Sequence, residues 1–201
     1  MTQTAPTRPR GRPRAFDEDR VLDQLIDLFS AAGFSASGIS QLSEVSGLTA
    51  GSLYKAYQDK EGIFAKALGR YIARREAEVA AIVSSAENSR AAMAGLLQLY
   101  VRLSQGEAGK LGCLWVSGMN ELLHFVHADA ALRDQLAQRR VMLARLVQRG
   151  HADGSITTTS EPAVVAEMLI ALLSGMRVLG KSGSFTQQGD AFVALALKLL
   201  D

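Results

Sequence analysis

Glu121 and His124 stand three residues apart, a spacing that brings a carboxylate and an imidazole to one face of a helix. Helical di-iron bundles use that pair, but they need two copies of it and two further glutamates. No second Glu-x-x-His exists in this chain. His124 and His127 repeat the spacing, yet Cys113, the one thiol, lies about three turns away on the same expected helix. No Ser-His-Asp arrangement and no glycine-rich phosphate cradle is present. The residues therefore predict no catalytic site, no metal set and no cofactor, and the chain does not read as an enzyme. Cys113 itself follows the glycine-rich run 104–112 and opens a helix, a place that favours thiolate. The plainer alternative is a small buried side chain.

The other chemistry in the chain is attraction to a polyanion. The net charge of +2 is too small to argue for any partner, so only its distribution speaks. Residues 1–14 carry Arg8, Arg10, Arg12 and Arg14 and no acid. Pro9-Arg10-Gly11-Arg12-Pro13 resembles the core of an AT-hook. An extended Arg-Gly-Arg segment is thin enough for a minor groove, whose narrow A·T-rich stretches attract arginine. A flexible basic arm that touches phosphates without preference is the alternative.

These residues need elements to place them, and the stretch Gly33–Lys60 is the centre of that arrangement. Leu42 and Val45 are three apart and Leu53 and Tyr57 four apart, so each pair shares a helix face. Gly47 between them can end one helix in the left-handed conformation, and Thr49 can cap the next. Two short helices about a glycine turn form a helix-turn-helix, whose second helix can enter a major groove. Upstream, Asp17 is placed to cap a helix that Gly33 ends. Downstream, Asp59 is placed to cap a helix of about 25 residues, roughly 38 Å of rod.

The remainder predicts further helices from Asn88, from Cys113 to His127, from Asp129 to about Gly150, from Pro162 and through Phe192–Leu199. Residues 104–112, with three glycines, read as a mobile loop, and Gly150–Ser160 as another. Arg133, Arg139, Arg140, Arg145 and Arg149 are expected to face water. The two last helices are apolar on more than one face, which predicts a homodimer through about 161–200.

With these elements in place the chain resembles a TetR-family transcriptional regulator over residues 10–72. The matching residues are Gly33-Phe34, Ile39, Leu42, Gly47-Leu48-Thr49, Gly51-Ser52-Leu53-Tyr54, Tyr57, Lys60-Glu61 and Phe64. The resemblance implies an all-α fold of about nine helices. A basic arm (1–14) precedes a three-helix DNA-binding domain (15–62) and a ligand-binding and dimerisation domain (63–201). It implies a double-stranded DNA operator as partner. Thr49, Ala50 and Ser52 would meet base edges, and Tyr54, Lys55 and Lys60 phosphates, with Arg10, Arg12 and Arg14 contributing from the arm. Gly38 departs from the family pattern, where Ser or Thr caps the second helix; Ser37 or Ser40 must then cap it and reach phosphate, or the contact is lost. A repressor released by a small-molecule effector is the expected function. Tyr100, Cys113, Trp115, Met119, Phe125, Met142 and Met168 are of the apolar, aromatic or sulfur-bearing types that line such cavities. Gly112-Cys113-Leu114 also recurs in a subgroup of the family that senses electrophiles, so a redox-sensing repressor acting through Cys113 is the alternative.

The single cysteine excludes an internal disulfide and fits a reducing, cytoplasmic setting. The first residues lack the apolar core of a signal peptide. No unbroken run of about 18 apolar residues occurs, so no membrane-spanning helix is expected.

Overall fold

In the computed structural model, which describes residues 16–185 and 187–201, the chain forms ten α-helices and two short 3-10 turns, with no strand among the described residues. The arm with Arg10, Arg12 and Arg14 lies outside the described residues. The helices are α1 (Glu18–Ala32), α2 (Ile39–Ser46), α3 (Ala50–Tyr57), α4 (Lys60–Ser85) and α5 (Ser89–Leu103). They continue as α6 (Gly106–Leu111), α7 (Leu114–Asn120), α8 (Asp129–Asp153), α9 (Pro162–Lys181) and α10 (Gly189–Ala196). The 3-10 turns are Leu122–His124 and Leu197–Leu200.

Side-chain caps set most of the early boundaries. Asp17 accepts from the Arg20 N–H at 3.2 Å, Thr49 from Ser52 at 3.2 Å, Asp59 from Gly62 at 2.7 Å and Asn88 from Ala91 at 2.9 Å. Gly47, at φ 67°, ends α2 in the left-handed conformation, as its place between the helices predicts.

Three boundaries differ from the sequence reading. The glycine-rich stretch 104–112 contains α6, because its glycines permit close approach. A Cβ on Gly109 would stand 2.4 Å from the Ser104 carbonyl oxygen, and one on Gly180 of α9 2.7 Å from the same oxygen. The expected helix 113–127 stops at Asn120 and continues as a 3-10 turn, and α8 starts with Asp129 as its first residue after Ala128. Gly150 does not end α8. It lies inside the helix under Ile156, and Gly154, at φ 74°, makes the stop.

Burial organises the helices around three apolar clusters. The first joins Leu25 and Phe29 of α1, Leu42, Leu53, and Ile63, Phe64 and Leu68 of α4 to Leu114, Trp115, Phe125 and Leu132. Phe125 lies between Phe34 and Phe64, with ring centroids 4.6 and 4.7 Å away. The helix-turn-helix thus shares one core with residues 113–132. The second cluster sits between α5, α8 and α9, around Met93, Leu96, Leu143, Val147 and Leu169. The third joins Leu97 and Tyr100 to Leu173, Met176, Phe185 and Val193. Each such Leu or Phe contributes about 1.5–3 kcal/mol on burial, enough to fix a helix that propensity alone would leave marginal.

By length and composition, α9 could cross a membrane, contrary to the sequence expectation: Glu167 interrupts the apolar run without lowering its average enough. A core helix meets the same measure, and α9 buries Val165, Leu169, Leu173 and Met176 within the protein. Arg177 on this helix is also buried, its Nη2 donating to the carbonyls of Gly112 and, at 3.3 Å, Ala108, which closes the C-terminal end of α6.

Candidate functional site

The turn at Gly47 sets α3 across α2 with Leu53 and Tyr57 buried beneath it. The opposite face is therefore open. Thr49, Gly51, Ser52, Tyr54 and Lys55 are exposed there and Ala50 half-buried. Thr49 Oγ1 lies 2.9 Å from Ser52 Oγ, so the two hydroxyls share one hydrogen bond and present a common polar edge. A Cβ on Gly51 would touch nothing in the chain, so the glycine is not required for contact with α2. Lys55 has no ion-pair partner among the described residues.

Lys60 at the start of α4 is drawn inward. Its ammonium lies 4.5 Å above the Phe34 ring and donates to the Ser35 carbonyl at 3.3 Å. Desolvation lowers its pKa, though the nearby Glu121 works the other way. The Asp59 carboxylate already occupies the Gly62 N–H, one of the amides at that helix start. Ser37 is not a surface group: it is fully buried and its hydroxyl donates to the Gly33 carbonyl at 2.6 Å. Neither Ser37 nor Ser40 caps α2. Gly38 holds the cap position with no side chain, and Gln41 reaches back to accept the Gly38 N–H at 2.9 Å.

Glu121 and His124, whose spacing suggests a ligand pair, serve instead to join two parts of the chain. The Glu121 carboxylate accepts the N–H groups of Phe34 and Ser35, each at 2.7 Å, and His124 Nδ1 lies 3.1 Å from the Ser35 hydroxyl. In the reverse direction, Glu61 of α4 accepts from Val126 at 3.0 Å, from Ala128 at 2.6 Å and from His127. Burial disfavours charge on both carboxylates, but the donated hydrogen bonds outweigh it and both pKa values lie below the usual one. Segment 121–128 is thereby clamped to the α1–α2 turn and to the head of α4.

A cavity of about 290 Å³ opens between α4, α5, α8 and α9. Tyr100 and Met142 line it, as their residue types suggest, together with Val79, Leu96, Gln135 and Arg139. The other expected lining residues lie elsewhere. Trp115 belongs to the first core, its indole N–H donating to the Leu132 carbonyl at 3.2 Å. Phe125 is stacked in that core and Met119 packs against it. Met168 is half exposed on the outer face of α9. Cys113 borders a separate opening with Ser117, Glu121, Arg177 and Lys181, and its sulfur accepts a hydrogen bond from the Tyr71 hydroxyl at 3.1 Å.

Sequence reasoning missed Gln135 and Arg139 and set Arg139 in water. Arg139 in fact lies over the Trp115 ring at 4.5 Å and turns toward the cavity. The signal was there: Leu132, Gln135, Arg139, Leu143 and Leu146 repeat at three and four, so the two polar residues share the buried stripe of α8.

Residues 21–67 match the family model of bacterial regulatory proteins, tetR family. Over 196 residues the chain is 28% identical to the HTH-type transcriptional repressor ComR of Escherichia coli (strain K12), covering 94% of this chain and 91% of ComR. A solved structure of the TetR family transcriptional regulator CifR, a cysteine mutant complexed with 26-bp double-strand operator DNA, shares the fold at TM-score 0.77. Identity there is 29%, covering 95% of this chain and 100% of that one. The reduced form of Escherichia coli NemR has TM-score 0.76 and 21% identity, over 91% of this chain and 96% of that one. ComR and CifR are, by their names, transcriptional regulators.

Proposed function

We propose that the chain is a TetR-family transcriptional regulator, a repressor that binds a near-palindromic operator as a dimer and releases it on binding a small molecule. The observation that carries this reading is the face of α3 opposite Leu53 and Tyr57, polar, exposed and free of large apolar residues other than Tyr54. In a major groove, Thr49, Ala50 and Ser52 meet base edges, while Tyr54 and Lys55 meet phosphates. Lys60 joins them by turning off Phe34, and the arm with Arg10, Arg12 and Arg14 adds charge. On this reading residues 15–62 are the DNA-reading unit and 63–201 hold the effector and the dimer seam, and the operator places the protein's work in the cytoplasm.

Dimerisation is supported by the outer stripe of α9 and the end of the chain. Val164, Met168, Val178 and Leu179 of α9 are exposed, as are Leu195 and Leu199 at the chain end, and a symmetric partner covers them with the same surface. Two α3 helices then read half-sites about one turn, ~34 Å, apart. The effector acts by favouring a state in which that spacing is wrong. Moving the population from 1:99 to 99:1 takes ~5.5 kcal/mol of differential affinity. Segment 121–128, clamped to the reading head at Glu61 and Glu121, carries the change beside α4.

Gel shifts with the intergenic DNA beside its own gene test the reading. Retardation of a fragment holding an inverted repeat, competed by that repeat and not by random DNA, is expected. Equal retardation of both would sink it.

A second reading rests on one contact. The Tyr71 hydroxyl donates to the sulfur of the buried Cys113, beside an opening also lined by Arg177 and Lys181, and this contact supports a redox-sensing role. Alkylation of Cys113 then abolishes retardation, and Cys113→Ser ceases to respond to electrophiles. An unchanged affinity after alkylation ends that reading.

A further inference from the structure

We infer that the cavity between α4, α5, α8 and α9 takes a small amphipathic acid, an apolar body with one anionic head held by Arg139, Gln135 and Tyr100. The inference rests on the reading of this cavity as the effector site. Its walls are mostly aliphatic, with Val79, Leu96, Leu143 and Ile170 among them, so the body of the ligand is apolar.

The polar groups decide what its head is. Gln135 is only 5% exposed, and its amide has no hydrogen-bond partner among the described residues. The Tyr100 hydroxyl, on a side chain 6% exposed, has none either. Neither polar tip is a fully enclosed unpaired atom; both line the cavity, where an occupant can pair with them. Arg139 adds charge. Its guanidinium lies over Trp115 and has no carboxylate partner. The other cation on the wall, Arg75, is paired with Glu78 beside it. Glu76 is exposed at the rim. One positive charge thus faces the cavity without a counter-ion. Burial holds the Tyr100 hydroxyl protonated, against the pull of Arg139, so it is a donor at neutral pH. A guanidinium, a hydroxyl and an amide converge as donors, which suits a carboxylate or a similar anion. A neutral hydrocarbon leaves the donors unpaired, and a cation meets Arg139.

Trp115 is the only tryptophan, and Arg139 stacks on it, so its fluorescence reports what Arg139 binds. The full-length protein is titrated with octanoate, 1-octanol and octylamine, with calorimetry as an independent readout. Octanoate is expected to shift Trp115 emission saturably and to bind about tenfold more tightly than octanol, the least that one charge-assisted hydrogen bond brings. Octylamine is not expected to bind. In Arg139→Met the advantage of octanoate disappears while octanol still binds, which shows that the cavity is intact. Gln135→Leu reduces the same advantage without touching Trp115. The proposal is overturned by octanol binding as tightly as octanoate in the natural protein, by a preference for octanoate that survives both substitutions, or by failure of all three probes to bind. Octanoate that binds through Arg139 and leaves DNA retarded upholds the acid site and removes the effector reading instead.

Discussion

On the proposed reading, single residues on α3 divide the work of reading DNA. Tyr54 is exposed beside the buried Leu53, and in the proposed complex its hydroxyl would meet a phosphate, which every sequence has. Tyr54→Phe therefore weakens binding to all DNA alike, by about 1 kcal/mol, one hydrogen bond. Ser52→Ala also removes the partner of Thr49 and alters which half-site is preferred, again by about 1 kcal/mol per site. Gel shifts on an operator, its half-site variants and random DNA separate the two, and identical effects on all of them contradict this division. The buried side of α3 was legible from spacing alone. Ser37 was not, because its burial depends on the carbonyl of Gly33 four residues earlier, and a serine beside a helix start looks like a cap whether or not it turns inward. Gly62 shows the same limit. A Cβ there would stand 1.9 Å from the Tyr57 carbonyl oxygen, a clash fixed by how α3 meets α4 rather than by any local pattern.

At the scale of elements, the two carboxylate clamps join segment 121–128 to the α1–α2 turn and to the start of α4. Glu121→Gln replaces a charged acceptor of two N–H groups and costs about 1.5 kcal/mol of stability at neutral pH. The pH dependence has a fixed sign. Both clamp carboxylates have folded pKa values below the ordinary glutamate value of 4.5. Their contribution is complete above that value and is lost as pH falls through the folded one. Thermal midpoints of the natural protein and of Glu121→Gln should therefore differ at pH 7 and converge below pH 4.5. A gap that stays constant with pH would show that the clamp is not electrostatic. Helices with clear caps, such as α1, α3, α4 and α5, were legible in the sequence because Asp17, Thr49, Asp59 and Asn88 act within one turn. The element α6 was not, since glycines read locally as mobility, while Gly109 and Gly180 serve approach between chain segments about 70 residues apart.

For the whole molecule, the exposed stripe on α9 and the chain end predicts assembly. Val178→Glu sets a carboxylate in the proposed apolar seam of each protomer, so the symmetric dimer would bury two unpaired charges. Sedimentation should show the dimer lost at micromolar concentration, with operator affinity falling toward that of a single half-site. A dimer that persists would place the seam elsewhere. The shared core has a different consequence, for protein engineering. Swapping the reading heads of related regulators treats residues before α4 as a detachable cassette. Here Phe64 and Phe34 close on Phe125, and Leu114, Trp115 and Leu132 complete the same core. A chimaera cut within α4 would pair one parent's half-core with the other's. It should be soluble and inducible only when residues 113–132 travel with the head they were inherited with.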